Sequence, residues 1–503
     1  MIKRKVAYNA LAGFLLQLMQ ITMGFIVPRL IMEAYGSSVN GLIASITQFL
    51  SYIALMDAGV SAVVRAKLYK PLVHSDYNDV QLIVNAAREF YKKIAYVFLV
   101  YMAVVTILLP LRVLAEFSFL YTASLILIVG VATFAEYFFG ISYQVLLDAD
   151  QRKYIYYIIQ AFAIFLNILL SAVLIRNGLS IHFVKLITSI VFIIRPLVVS
   201  TYCNKRYGFD KNNKNTVIVE NQWTGMAHHL AYFLHTHTDV VLLTLFKSPL
   251  TVSVYSVYNM IVMGVVNVIN LTTGGIEAAF GTINAAHNGE KLREGFNITL
   301  WVVFTMTTIM FSTAYLTIIP FVKVYTKGIN DVSYIDRPAA VILILAEGMY
   351  CIRMPLQAII MATGKIKETM RGAVIEVVIN IAISLMFVWN YGIAGVAIGT
   401  LCAMTFRTID YLKFISSNIV FGCVYSFLKR FIVMIIATIG IVITYRFLPS
   451  VAVHDYLSWG IQTLIVVISA TVIVLGLNSF FFMDEAKKIW NMIRELAHPQ
   501  RRD

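Results

Sequence analysis

The chain has 503 residues, 59% of them hydrophobic and 13% charged, with a mean hydropathy of +0.79, far above the usage of a soluble domain. Its 40 Lys and Arg against 26 Asp and Glu give a net charge of +14, but the basic residues gather between apolar runs, so the charge reads as membrane topology and not as a nucleic-acid surface. No Gly-x-x-x-x-Gly-Lys-Ser/Thr loop occurs, which argues against ATP hydrolysis by this chain.

The first apolar run, residues 6–32, follows Lys3, Arg4 and Lys5. It is too long for a signal-peptide core and reads as a retained first span. Further spans are expected at 40–64, 94–115, 118–147, 154–175, 180–203, 225–247, 251–283, 297–322, 338–361, 371–389, 392–412, 427–447 and 458–482, each about 20 residues or longer as a spanning helix requires. With the N-terminus in the cytoplasm, about 28 of the Lys and Arg fall in cytoplasmic segments and about 7 outside, which satisfies the positive-inside rule. Both termini are then cytoplasmic, with Asp331 outside and Asn213 inside. The tail after residue 483 carries Ile489, Met492, Ile493 and Leu496 on one helical face. The longest outer loops, 323–337 and 446–457, leave no room for a folded catalytic domain. Cys203, Cys351, Cys402 and Cys423 lack metal or disulfide spacing, so neither a metal nor a cofactor is expected.

An internal repeat organises the chain. "FAEYF" at 134–138 returns as "LAEGM" at 345–349, "LNILLSAVL" at 166–174 as "INIAISLMF" at 379–387, and Arg195 as Arg407, all offset by 211 to 213 positions. More weakly, "LMDAGVSA" at 55–62 matches "NLTTGGIEA" at 270–278. Six helices per unit is an even number, so the halves enter the membrane in the same direction. The expected architecture is an all-α polytopic membrane protein: six-helix bundles at 1–203 and 223–416, a linker at 204–222, two extra helices within 417–483 and an amphipathic tail at 484–503. Such a duplication encloses a central cavity and works by alternating access.

Intramembrane charge marks the candidate site residues. A charged side chain at the centre of a span costs roughly 2.5–3.5 kcal/mol on insertion scales, so it needs a partner, water or a ligand. Arg353 stands beside Pro355 in the tenth span, six residues from Glu347 and off its face, so the two do not neutralise each other locally. Arg195 precedes Pro196 without a local acid, Arg407 has Asp410 three residues on, and Arg29 follows Pro28 near a helix end. Glu136 and Glu347 occupy equivalent repeat positions, and His235 and Asp239 share a helix face as a proton relay or cation site requires. Gly59, Gly274 and Gly275 read as sites of close helix packing.

"YGSSVNGLIASITQFLSYIALMDAGV" (35–60), "THTDVVLLTLF" (236–246), "VSVYSVYNMI" (252–261), "VYTKGINDVSY" (324–334), "RMPLQAIIMATGKIKET" (353–369) and "NYGIAGVAIGT" (390–400) together resemble the polysaccharide transporters of the multidrug/oligosaccharidyl-lipid/polysaccharide (MOP) superfamily, from the N-terminus to about residue 420. The resemblance implies a non-enzymatic flippase of the bacterial inner membrane. Its substrate would be undecaprenyl-pyrophosphate-linked repeat units of O-antigen or capsule, with polysaccharide polymerase and assembly machinery as partners and H⁺, Na⁺ or neither as coupling ion. A pyrophosphate crossing a low-dielectric region explains intramembrane arginine, which meets it bidentately and keeps its proton. Arg353 and Arg195 are accordingly the leading headgroup residues, with Arg29 and Arg407 behind them; Asp239, His235, Glu347 and Glu136 are the coupling-ion residues. A drug/cation antiporter or lipid II flippase of the same superfamily is the alternative. A polymerase or ligase would need a large external loop.

Overall fold

The structure, a computed structural model, describes residues 2–57, 59–210, 216, 237–273, 275–286, 288–449 and 451–497. Thirteen helices among them are long and apolar enough to cross a membrane, so the chain is a multi-pass all-α membrane protein. The span expected at 225–247 is described only from residue 237 onward, and residue 213 and His235 lie outside the described residues.

In chain order the helices are α1 (Ile2–Tyr35), α2 (Ser37–Ser51), α3 (Val60–Val73), α4 (Tyr77–Arg112), α5 (Phe119–Ala135), α6 (Ile141–Ala149), α7 (Lys153–Arg176), α8 (Ile181–Tyr207), α9 (His237–Phe246), α10 (Pro249–Thr273), α11 (Ile276–Ala285) and α12 (Gly289–Tyr325). They continue with α13 (Arg337–Ala362), α14 (Met370–Tyr391), α15 (Ile393–Asn418), α16 (Cys423–Tyr445), α17 (Tyr456–Phe481) and α18 (Met483–Ala497). Short polar residues start them, because the first N–H groups of a helix have no partner within it. Asp76, Ser118, Ser180, Asn288, Asp336 and Asp455 each accept from the backbone N–H three residues on. At Asp455 these bonds, from the backbone and side chain of Ser458, hold the carboxyl below its usual pKa.

Two compact units emerge. One comprises residues 1–256 with the strap Gly328–Val332, the other Val257–Lys327 with Ser333–Asp503. In the first unit α1 packs on α7, α4 on α5, and α5 and α7 on α8, around Leu42, Ile46, Val64, Leu68, Phe98 and Leu146. The strap contributes Asp331, which accepts from Ser37 N at 2.6 Å and Ser37 Oγ at 2.7 Å and so caps α2. In the second unit α13 and α14 pack on α15, and α12 meets α13, α16 and α17. The tail helix α18 turns Ile489 inward toward Trp301, Val433 and Phe482. It is pinned by Arg430–Glu485 at 2.6 Å and by Lys488–Glu294 at 2.5 Å.

Two expected spans are broken rather than continuous. The helix expected at 40–64 ends in a 3₁₀ turn, Tyr52–Asp57, and restarts after Gly59 (φ 97°, ψ −20°); the one expected at 251–283 restarts after Gly275 (φ 99°, ψ −12°). The expectation of close packing is corrected for Gly275, while Gly274 lies outside the described residues. A Cβ on Gly275 would meet nothing within 4 Å; what the position needs is the left-handed backbone that only glycine adopts freely. Close packing falls instead on Gly395 and Gly399 of α15. There a Cβ would lie 2.5 Å from the Phe387 carbonyl oxygen or overlap Ser384 Oγ, the small-residue spacing by which membrane helices approach. Gly399→Val should destabilise the purified protein by about 1–3 kcal/mol through overpacking, read as a lower melting temperature in detergent. Gly264→Ala, where nothing lies within 4 Å, should not lower it, and equal melting temperatures for both variants would contradict the packing described.

Candidate functional site

The intramembrane arginines are all placed among the described residues, in different settings. Arg353 is 4% exposed and donates Nη1 to Glu376 Oε1 at 2.7 Å. The other oxygen of Glu376 lies 3.3 Å from Nε of Arg407, itself 1% exposed. Arg407 goes on to the Thr369 carbonyl at 2.9 Å, Asp410 Oδ2 at 2.8 Å and the Tyr411 hydroxyl at 3.1 Å, with the Tyr411 ring 4.1 Å from its guanidinium. Two guanidiniums are thus set against two carboxylates, joining α13, α14 and α15. Gly372 makes room: a Cβ there would overlap Asp410 Oδ2 and the Arg407 guanidinium.

The first unit repeats the solution with different donors. Arg195 bonds Glu136 and Gln160, and Glu136 also accepts from Gln144. Glu136 opens a single π-turn, Glu136–Gly140, between α5 and α6, an irregularity often found at functional sites. Arg195 and Arg407 match in the repeat, yet their acids come from different helices: Glu136 at the α5–α6 junction, Glu376 from α14. Glu376 is the carboxylate that meets Arg353; Glu347, 8% exposed, lies elsewhere on α13. Arg29 is half-buried in α1 beside Pro28.

Of the residues expected to couple an ion, Asp239 is 3% exposed and accepts from the Tyr255 hydroxyl at 3.2 Å. Its neighbour His237 bonds Gln48. Glu136, assigned to ion coupling, and Arg195, assigned to the headgroup, neutralise each other.

Sequence reasoning missed two features. Asp57, at the break between α2 and α3, accepts from Tyr91 OH at 2.8 Å and from Ser61 Oγ at 3.1 Å. At the equivalent break between α10 and α11, Thr273 and Glu277 line a cavity of about 300 Å³. The match of 55–62 to 270–278 held the signal, since it sets Asp57 against Thr273 and Ser61 against Glu277. A larger furrow of about 510 Å³ runs between α12, α13 and α16, lined largely by apolar side chains such as Phe311, Leu345, Phe431 and Ile439.

No family model matches the chain, and no curated protein matches it. Solved structures do. The lipid II flippase MurJ in its inward closed conformation superposes with a TM-score of 0.65 at 14% identity, covering 95% of this chain and 99% of that one. An inward-facing multidrug resistance MATE family transporter of the MOP superfamily gives 0.57 at 14% identity, covering 81% and 98%. A Vibrio cholerae MATE transporter gives 0.53 at 16%, covering 83% and 98%. The likeness establishes the fold, which is that of the MOP-superfamily transporters. The neighbours are flippases and transporters, not enzymes.

Glu376→Gln should be the most damaging single change in the buried network, because it removes the carboxylate that Arg353 is paired with and one of the two that face Arg407, and breaking a buried pair costs roughly 3–5 kcal/mol. Asp410→Asn should cost less, since the Asp410 side chain is 33% exposed. Membrane abundance and monodispersity after extraction check this, and wild-type abundance for Glu376→Gln would contradict it.

Proposed function

We propose that the chain is a flippase that carries undecaprenyl-pyrophosphate-linked oligosaccharide repeat units from the cytoplasmic to the outer leaflet of a bacterial inner membrane, for O-antigen or capsule synthesis. The observation that carries the reading is length. The flippase MurJ covers 95% of this chain, whereas the two MATE transporters cover 81% and 83%. The likeness to a lipid-carrier flippase therefore extends beyond the part shared with the drug transporters. The apolar furrow of about 510 Å³ suits a prenyl chain, and the resemblance of the quoted sequence stretches favours repeat-unit lipids over lipid II.

In this reading the six-helix bundles at 1–203 and 223–416 alternate access to the two sides, with both termini cytoplasmic. Arg353 and Arg195 are held by carboxylates until an anionic headgroup arrives. Glu376 and Glu136 each meet their guanidinium through one oxygen, whereas a pyrophosphate would offer a bidentate acceptor, so loading is an exchange of one anion for another. Arg407, enclosed by Glu376, Asp410, Thr369 and Tyr411, is the fixed member that keeps Glu376 satisfied when Arg353 is drawn away. Asp239, His235, Glu347 and Glu136 are the groups through which an H⁺ or Na⁺ gradient would act, and polysaccharide polymerase and assembly machinery are the partners that would take up the product.

Two experiments test this reading. Arg353→Lys keeps the charge and loses the planar fork, so it should leave membrane abundance near normal while lipid-linked oligosaccharide accumulates on the cytoplasmic leaflet. Normal surface-polysaccharide output from that variant would remove Arg353 from the site. For topology, the native cysteines are replaced and single cysteines introduced. Asn330→Cys should react with an impermeant maleimide on intact cells, and Lys487→Cys only after permeabilisation. The reverse pattern would overturn the orientation.

A further inference from the structure

The helix breaks at Gly59 and Gly275 are equivalent in the repeat and adopt the same left-handed backbone, yet their surroundings differ. At the first, the polar groups satisfy one another: Asp57 takes the hydroxyls of Ser61 and Tyr91. At the second, the residues matching Asp57 and Ser61 are Thr273 and Glu277, and they line an open cavity of about 300 Å³ together with Asn270, Tyr350, Met354 and Gln357. The Glu277 carboxylate forms no ion pair among the described residues. A carboxylate, two amides and a hydroxyl converging over an aromatic ring and a thioether offer both donors and acceptors. The volume matches the lower end of the roughly 300–1,000 Å³ typical of small-molecule sites.

We propose that this cavity binds one saccharide ring. Vicinal hydroxyls, each donor and acceptor at once, suit the carboxylate and amides, and the C–H face of a sugar suits the Tyr350 ring and Met354. An organic cation is the competing ligand that Glu277 and Tyr350 alone would suggest, but the guanidinium of Arg353 already sits 5.2 Å from the Tyr350 ring centroid. One face of that ring is thus already taken by a cation, and the two amides and the hydroxyl of the lining favour a neutral polyol. The helix α13 thus has two faces at one level: Arg353 reaches into the buried network, while Tyr350, Met354 and Gln357 face the cavity. By the topology proposed above, the cavity lies in the cytoplasmic half of the membrane, where a sugar headgroup made in the cytoplasm is loaded. The proposal rests on the flippase reading for its natural ligand, and on the cavity alone for its chemistry.

The test uses the full-length protein in detergent, with three probes. These are the lipid-linked oligosaccharide extracted from the source cells, undecaprenyl pyrophosphate without sugar, and the free oligosaccharide released from the first by mild acid. Glu277→Gln and Gln357→Ala, both checked for monodispersity, should each weaken binding of the lipid-linked oligosaccharide about tenfold, the loss expected for one hydrogen bond to a charged or well-placed polar partner. Binding of undecaprenyl pyrophosphate should be unchanged, and saturation-transfer signals from the free oligosaccharide should weaken in parallel. Equal weakening of both lipids, or of neither, would overturn the saccharide site while leaving the flippase reading standing. Binding of the free oligosaccharide but of neither lipid, with the same loss in the variants, would uphold the site and sink the flippase reading. Binding of tetraphenylphosphonium, added as a fourth probe, to wild type but not to Glu277→Gln, with no oligosaccharide binding at all, would overturn the site in favour of a cation.

Discussion

A guanidinium that keeps its proton under all physiological conditions cannot enter a hydrocarbon layer unless something answers its charge, and much of this fold is arranged around that constraint. The second unit answers with Glu376, shared between Arg353 and Arg407, and with Asp410 at a more exposed edge. Three helices are tied at that level, and Gly372 is where it is because any side chain would collide with the pair. The first unit answers with Glu136 and two glutamines around Arg195. Each solution is internal to its unit, so neither bundle needs the other to satisfy its own charge.

The two halves of the repeat are alike where they pack and differ around the two helix breaks. Asn167 and Asn380 are both buried, and each stands four residues before a buried serine, Ser171 or Ser384. Asn167 accepts from Ser171, Asn380 donates to Thr400, and Ser384 donates to the Val396 carbonyl. The Asn167–Ser171 pair is internal to α7, whereas the bonds of Asn380 and Ser384 tie α14 to α15 inside the membrane, the usual glue where hydrophobicity no longer discriminates. Around the two helix breaks the substitutions run the other way. Moving the acid from two residues before glycine to two residues after it turns a closed cluster into a lined cavity.

Much of the fold was legible because apolar length is a strong signal. All expected spans that fall on described residues correspond to helices, and Ser, Asp and Asn caps mark several of their starts. What was not legible follows from geometry that spacing cannot carry. Gly59 and Gly275 looked like packing positions because composition says nothing about the sign of φ, and a broken helix has the same hydropathy as a continuous one. Arg353 could be seen to need an acid from another helix, but that Glu376 supplies it depends on how α13 rotates against α14. Glu277 drew no notice, since a carboxylate at a helix start is ordinary; only the cavity beside it gives it meaning.

The central claim is that a sugar-bearing lipid is what crosses. The protein reconstituted in proteoliposomes with lipid-linked oligosaccharide carrying a fluorophore on its sugar gives the most direct measurement, reading quenching by a membrane-impermeant reductant over time. The account predicts that the fraction initially protected in the inner leaflet becomes quenchable only when the protein is present, and that Arg353→Lys slows this exchange. A protected fraction that persists with wild-type protein, while the same vesicles expel an organic cation against an imposed H⁺ or Na⁺ gradient, would contradict it.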